Sequence, residues 1–215
     1  MKLYSGPLSM FGAKAEIALR EKGIVFDLEM VPFEMKTLYE PKHPEVLRIN
    51  PKRQVPVLID GDLELFDSTQ IFEYLETLKP DPALWPADLR ARARARLLEH
   101  KSDEVYFPHI VRLMGDSKAP RAREAAAHFY DEMERTLGDR EWLAGPYTYA
   151  DIAFYMAQLF GDRMGAPMSD AHPRLQAWRE RMGEQPAVRQ VAGAMGRYLL
   201  SIGRKLPAFL AKLST

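Results

Sequence analysis

A chain of 215 residues is long enough for one large core or two modest ones. Its 30 acidic side chains balance 30 basic ones, with 47% hydrophobic and 28% charged residues, which excludes a disordered chain and a one-sign surface made for nucleic acid. The absence of cysteine excludes disulfides, thiolate nucleophiles, CxxC redox pairs and cysteine-bound zinc.

The histidines, His43, His100, His109, His128 and His172, lack the i, i+4 spacing of a helical metal pair, so no metal is expected. No stretch approaches about 18 uninterrupted apolar residues, and the turn at Gly6-Pro7 arrives before the apolar core of a secretion signal could form. A globular protein of the cytoplasm is the expectation, with neither membrane nor nucleic acid among its partners.

Lys2 to Ser5 is a short strand candidate. After Pro7 a helical period sets Met10, Ala13, Ile17 and Ala18 on one face, and Gly23 supplies a C-cap. Ser9 stands at the break between the two, where it can cap the helix or point its hydroxyl into a cleft. Phe26, Leu28 and Met30 alternate with Asp27 and Glu29 as a half-buried strand ended by Pro32. Phe33 to Pro51 is polar and punctuated by proline. Val55 to Ile59, the turn Asp60-Gly61 and Leu63 to Phe66 predict a β-hairpin, and a helix from Ser68 turns Ile71, Phe72 and Leu75 inward.

The proline-rich segment Lys79-Pro80-Asp81-Pro82-Ala83-Leu84-Trp85-Pro86 then stops any element. Beyond it only helices are predicted: Leu89 to Met114, kinked or divided at Pro108, then Ala122 to Leu137, Tyr149 to Phe160, Arg174 to Met182 and Ala187 to Ile202. The order β-α-β, β-β-α followed by helices predicts a small α/β domain over residues 1–79, a linker over 80–86, and an all-α domain over 87–215.

This layout resembles the soluble glutathione transferases, in which a thioredoxin-like domain holds glutathione and a helical domain shapes the second substrate's site. Four stretches carry the resemblance. The opening strand, Gly-Pro turn, Ser9 and helix through Ala18-Leu19 resemble the N-terminal motif of the serine-type phi, theta and zeta classes. Asn50-Pro51-Lys52-Arg53-Gln54-Val55-Pro56-Val57-Leu58 is similar to the family's N-P-x-x-x-V-P-x-L stretch, and Leu65-Phe66-Asp67-Ser68-Thr69-Gln70-Ile71 to its L-x-[E/D]-S-x-x-I stretch. Leu143-Ala144-Gly145-Pro146-Tyr147-Thr148-Tyr149-Ala150-Asp151-Ile152 matches the L-x-G-x-x-[ST]-x-A-D-[IV] element of the helical domain. Lys14 departs from the pattern, standing where related sequences often carry arginine.

The resemblance implies glutathione as co-substrate, a small hydrophobic electrophile and a homodimer. Glutathione reacts as its thiolate, and a thiol with a pKa of about 8.5 must be lowered by roughly two units, or about 2.7 kcal/mol. A hydrogen bond to a charged acceptor supplies about 1.5–3 kcal/mol and a helix N-terminus adds to it. Ser9 offers both and is the implied catalytic residue. Val55-Pro56 is the implied cis peptide that pairs with the tripeptide like an added strand. Asp67 and Ser68, at a helix start, are implied for the γ-glutamyl end, Gln54 for the backbone and Lys42 for the glycyl carboxylate, with Arg53 a further basic candidate.

Thr148 and Asp151 form a capping box that sets the start of the Tyr149 helix. For the electrophile site the candidates are Met10, Phe11, Tyr106, His109, Met114, Tyr198 and Phe209. The alternatives to transfer are a glutathione peroxidase, disulfide reductase or isomerase using the same thiolate, and a non-catalytic binding or regulatory protein on the same fold.

Overall fold

The computed structural model describes residues 1–115 and 119–214. Strands β1 (Lys2–Ser5), β2 (Asp27–Met30), β3 (Val57–Asp60) and β4 (Leu63–Phe66) form one sheet in the order β2-β1-β3-β4. Leu3 of β1 lies opposite Leu28 of parallel β2 and Leu58 of antiparallel β3, and Leu58 lies opposite Leu65 in the β3–β4 hairpin. A parallel β1–β2 pair needs a crossover, which α1 (Met10–Glu21) provides. With α3 (Ser68–Leu78) after the hairpin, this is the expected thioredoxin-like arrangement.

The polar, proline-punctuated stretch Phe33 to Pro51, to which the sequence assigned neither helix nor strand, contains α2 (Pro44–Ile49). Pro44 opens it, and His43 Nδ1 accepts the Glu45 N–H at 3.2 Å. A histidine cap lies outside the usual Ser, Thr, Asp and Asn set, which left Pro44 as the one start signal in the sequence.

The rest is helical: α4 (Leu89–His100), α5 (Phe107–Gly115), α6 (Pro120–Leu137), α7 (Tyr149–Arg163), α8 (Pro173–Glu184), α9 (Pro186–Ser201) and the short α10 (Ala208–Ala211). The expected break at Pro108 falls earlier, in a π-helical turn over Lys101–Tyr106. Proline has no N–H, and its ring clashes with the carbonyl four residues back. The Phe107 N–H instead reaches the Ser102 carbonyl, five residues back, and this wider turn just before Pro108 makes the room.

Helix α1 is the hinge of the packing. Its Ala13, Ala15, Ile17, Ala18 and Leu19 are all buried, because α1 lies between the sheet and α7 and α9, and small side chains permit the close approach. One apolar core runs from Leu3, Leu58 and Phe72 into Ile152, Phe154 and Trp178. At the seam Phe72 of α3 stacks on Tyr149 of α7 with ring centroids 3.7 Å apart. The proline-rich segment is tied down from α1. Lys22 Nζ donates to the Lys79 and Pro82 carbonyls at 2.8 and 2.9 Å and pairs with Glu76 at 2.6 Å. Glu76 in turn accepts the Leu84 and Trp85 N–H groups.

Candidate functional site

Ser9 caps α1. Its N–H donates to the Gly6 carbonyl and its Oγ accepts the Gly12 N–H, both at 3.0 Å. Two glycines make this geometry possible. A Cβ at Gly6 would lie 2.4 Å from the Tyr39 ring, and one at Gly12 would lie 2.2 Å from Ser5 Oγ and 3.1 Å from Ser9 Oγ. The Tyr39 hydroxyl accepts the Leu8 N–H at 3.2 Å, so the turn carrying Ser9 is seated on a ring from the loop beyond β2. A hydroxyl that accepts one bond keeps its own proton to donate. Capping and donation into a cleft are therefore compatible at Ser9, which is half-buried and lines an open cavity.

A polar cavity of about 420 Å³ lies between residues 50–56, the first turn of α3, α4 and the π-helical turn. Asn50 shapes one rim, donating to the Gln54 carbonyl at 2.5 Å and accepting the Lys52 N–H at 2.9 Å. The Val55-Pro56 bond that follows is cis. On the other rim Asp67 caps α3, accepting the Thr69 and Gln70 N–H groups at 3.0 and 3.3 Å. Its backbone sits at φ 75°, ψ 126°, a conformation that costs a non-glycine residue roughly 1–3 kcal/mol. Asp67→Gly is therefore expected to unfold in urea within about 1 kcal/mol of wild type, released strain offsetting the lost cap, whereas Asp67→Ala falls by about 1 kcal/mol or more.

The far wall of this cavity is acidic, with Glu99, Asp103 and Glu104. Lys14 reaches it from α1, its Nζ 2.9 Å from Glu99 Oε1 and bonded to Asp103, and the Thr69 hydroxyl donates to Glu99 at 2.6 Å. Burial alone would lower the Lys14 pKa, but Tyr149 and the two carboxylates raise it above the ordinary lysine value. Burial pushes Asp103 up to about 6 against the pull of Lys14. Burial also acts on Glu99, yet Lys14 and Thr69 hold it below the usual carboxylate range.

A second cavity, of about 350 Å³, lies against Ser9, α5 and the C-terminal end of α7. Its wall is largely apolar, with Met10, Phe11, Phe33, Phe107, Phe160 and Met164 among the lining residues. Phe11, Gln54 and Val55 border both cavities. The arrangement joins a polar compartment carrying acidic side chains and a helix N-terminus to an apolar one, with a hydroxyl at the start of α1 beside their shared border. Among the described residues no cluster of histidine and carboxylate side chains could hold a metal ion.

The N-terminal domain family of the glutathione S-transferases matches residues 3–83, and the C-terminal domain family of the same proteins matches residues 97–186. The chain belongs to the glutathione S-transferase family. It is 31% identical over 212 residues to glutathione S-transferase 3 of Zea mays, covering 91% of this chain and 94% of that one. It is also 31% identical over 148 residues to a stringent starvation protein A homolog of Coxiella burnetii, covering 66% of each chain. Its fold is similar to that of a glutathione S-transferase from Methylobacterium radiotolerans crystallised with glutathione sulfonate, with a TM-score of 0.76 and 27% identity over 88% of this chain and 93% of that one.

Within this glutathione S-transferase fold, Gln54, Val55, Pro56, Asp67 and Ser68 all border the polar cavity. Ser9 and Lys42 border the apolar one, and Lys42 pairs with Glu40 at 3.3 Å. Of the electrophile-site candidates, Met10, Phe11 and Met114 line the apolar cavity. Tyr106 instead bonds to Tyr130 in the helical core, Phe209 packs against Arg179, Tyr198 donates to the Phe33 carbonyl, and His109 lies outside both cavities. Phe33, Tyr39, Phe160 and Arg163 were missed. The first two belong to the stretch read as polar and punctuated by proline, and Arg163 lies three residues past the expected end of α7.

Proposed function

We propose that the protein is a serine-type glutathione transferase of the cytoplasm, a homodimer that joins the glutathione sulfur to small hydrophobic electrophiles. In this reading the tripeptide extends along residues 54–56 in the polar cavity. Ser68 and the first turn of α3 meet its γ-glutamyl carboxylate, and Asp67 meets its ammonium. Lys42 is assigned to the glycyl carboxylate. The Ser9 hydroxyl donates to the sulfur, favouring the anion that attacks an electrophile held in the apolar cavity. The observation that carries the reading is the Ser9 Oγ itself, engaged as acceptor with Gly12 and on the wall of that cavity, with its donor proton still to place.

Retention on immobilised glutathione followed by turnover of a generic aryl halide tests the reading. In wild type a carbon–sulfur bond forms and halide leaves with the bonding pair. In Ser9→Ala, kcat/KM is expected to fall on the order of 100-fold, the counterpart of about 2.7 kcal/mol, with glutathione affinity changed only a few-fold. Loss of the cap lowers stability by about 1 kcal/mol, so folded protein is compared at a temperature well below its midpoint. Turnover unchanged in Ser9→Ala would remove the serine from its role.

A second reading is a binding or regulatory protein without turnover on the same fold, kept open because a relative not named as a transferase, a stringent starvation protein A homolog, matches at the same 31% identity as a transferase. Glutathione retention without turnover of either an aryl halide or a hydroperoxide favours it. Turnover of the hydroperoxide alone favours a peroxidase. Analytical ultracentrifugation reads the dimer directly.

A further inference from the structure

The apolar cavity beside Ser9 is rich in thioethers: Met10, Met35, Met114 and Met164, four of the chain's 11 methionines, line it. They come from both halves of the fold. Met35 belongs to the segment after β2, and Met114 stands in the last turn of α5, where the row Phe107, Val111 and Met114 follows one helical face along the cavity. Their exposure sets two of the four apart. Met35 and Met114 are 42% and 51% exposed, which places them at the mouth, whereas Met10 is buried and Met164 half-buried. Elsewhere Met133, Met156 and Met182 are fully buried. Met30, on β2, is 44% exposed but lies outside both cavities.

A thioether at a solvated mouth is open to two-electron oxidation, and the chain has no cysteine to be oxidised in its place. In that step the O–O bond of a hydroperoxide breaks, one oxygen joins the sulfur as a sulfoxide, and the remainder leaves as water or an alcohol. The sulfur loses two electrons and the peroxide gains them. A flexible apolar side chain that adapts to varied ligands thereby becomes a polar one, whose new oxygen calls for hydrogen-bond donors. An apolar ligand laid against that oxygen strips it of water and offers no bond in return. We propose that Met35 and Met114 are sites of reversible oxidation that closes the cavity to apolar ligands, with a hydroperoxide as oxidant and a methionine sulfoxide reductase as the restoring enzyme. The proposal rests on the transferase reading only for which activity is switched. The modification and its effect on binding need neither glutathione nor Ser9.

The experiment treats the full chain with hydrogen peroxide, follows each methionine by peptide mass spectrometry, and titrates the neutral fluorescent probe N-phenylnaphthylamine before and after. Met35 and Met114 are expected to oxidise on the order of tenfold or more faster than Met133, Met156 and Met182. The oxidised protein binds the probe on the order of tenfold more weakly. Methionine sulfoxide reductases A and B, which act on the two sulfoxide epimers, restore the affinity. In the volume-conserving double variant Met35→Leu/Met114→Leu the affinity is the same before and after peroxide, whereas Met30→Leu keeps the full loss, because its sulfur stands outside the cavity. The melting midpoint of the oxidised wild type stays close to that of the untreated protein; damage to the core would lower it and would not be undone by the reductases. Equal oxidation of exposed and buried methionines, an affinity unchanged by oxidation, a loss that persists in the double leucine variant, or failure of the probe to bind untreated protein would overturn the proposal. Aryl halide turnover on the same samples separates it from the transferase reading. Probe binding that oxidation weakens in a protein without turnover retires that reading and keeps the oxidation sites, and turnover with probe binding indifferent to oxidation does the reverse.

Discussion

Replacing Lys14 with methionine is expected to lower the free energy of unfolding by about 3–5 kcal/mol at neutral pH, the usual effect of breaking a buried ion pair from one side. Lys14 is 1% exposed and is the cation between Glu99 and Asp103, 5.1 Å from the centre of the Tyr149 ring. Methionine fills the volume but leaves two carboxylates facing one another. The pH dependence distinguishes charge from packing. Asp103 titrates at about 6 in the folded protein, above its ordinary value of 3.8. Between those values the native state holds more protons than the unfolded chain, so this group's contribution falls as pH rises through the window. Without Lys14 both carboxyls lose their stabilising cation and move further up, and protonation relieves the repulsion. The defect in Lys14→Met is therefore larger at pH 8 than at pH 5.5 in urea titrations. The triple change with Glu99→Gln and Asp103→Asn recovers most of it. An equal loss at both pH values would assign the effect to side-chain shape alone.

The same cluster marks where sequence reasoning stopped. The helical period of α1 predicts one inward face, and Met10, Ala13, Ile17 and Ala18 are indeed buried. The opposite face is buried as well, against a helical domain whose matching residues lie 85 and 89 positions further on, and no local period records a partner at that distance. Local chemistry was far more legible. The break at Ser9, the Asp60-Gly61 turn and the start of α3 at Ser68 depend on backbone geometry and capping within a few residues, which residue type reports directly, whereas the cis Val55-Pro56 bond was implied only by the family resemblance. The apolar cavity was mostly hidden, because Phe107 and Tyr106 are adjacent on the chain and equally aromatic, yet one lines the cavity and the other the core. Helical spacing says which residues share a face but not what that face meets.

Asp151→Ala is expected to be the most destabilising single change in the helical domain, by about 4–5 kcal/mol, well beyond the roughly 1 kcal/mol of an ordinary lost cap. The capping box was expected and is present, but the carboxylate does more than close a helix turn. Fully buried, Asp151 accepts the Thr148 N–H and hydroxyl at 2.9 and 3.0 Å through one oxygen. The other accepts the Leu143 N–H and the Trp178 indole N–H, both at 3.0 Å. It therefore joins the loop before α7, the start of α7 and α8 around a single group. Burial pushes its pKa up and these donors pull it down, with burial the larger effect. Alanine leaves all the donors without an acceptor in a dry interior, where each unmet group costs about 1–3 kcal/mol, less than additively once the chain relaxes. Thr148→Ala removes only one donor and should lose about 1 kcal/mol. Asp151→Asn keeps one acceptor but turns an amide N–H toward other donors, and should fall between the two. Urea titrations of the three variants decide the matter: equal losses in Asp151→Ala and Thr148→Ala would reduce the aspartate to a helix cap, whereas the expected separation of several-fold identifies it as the polar centre on which the helical domain closes.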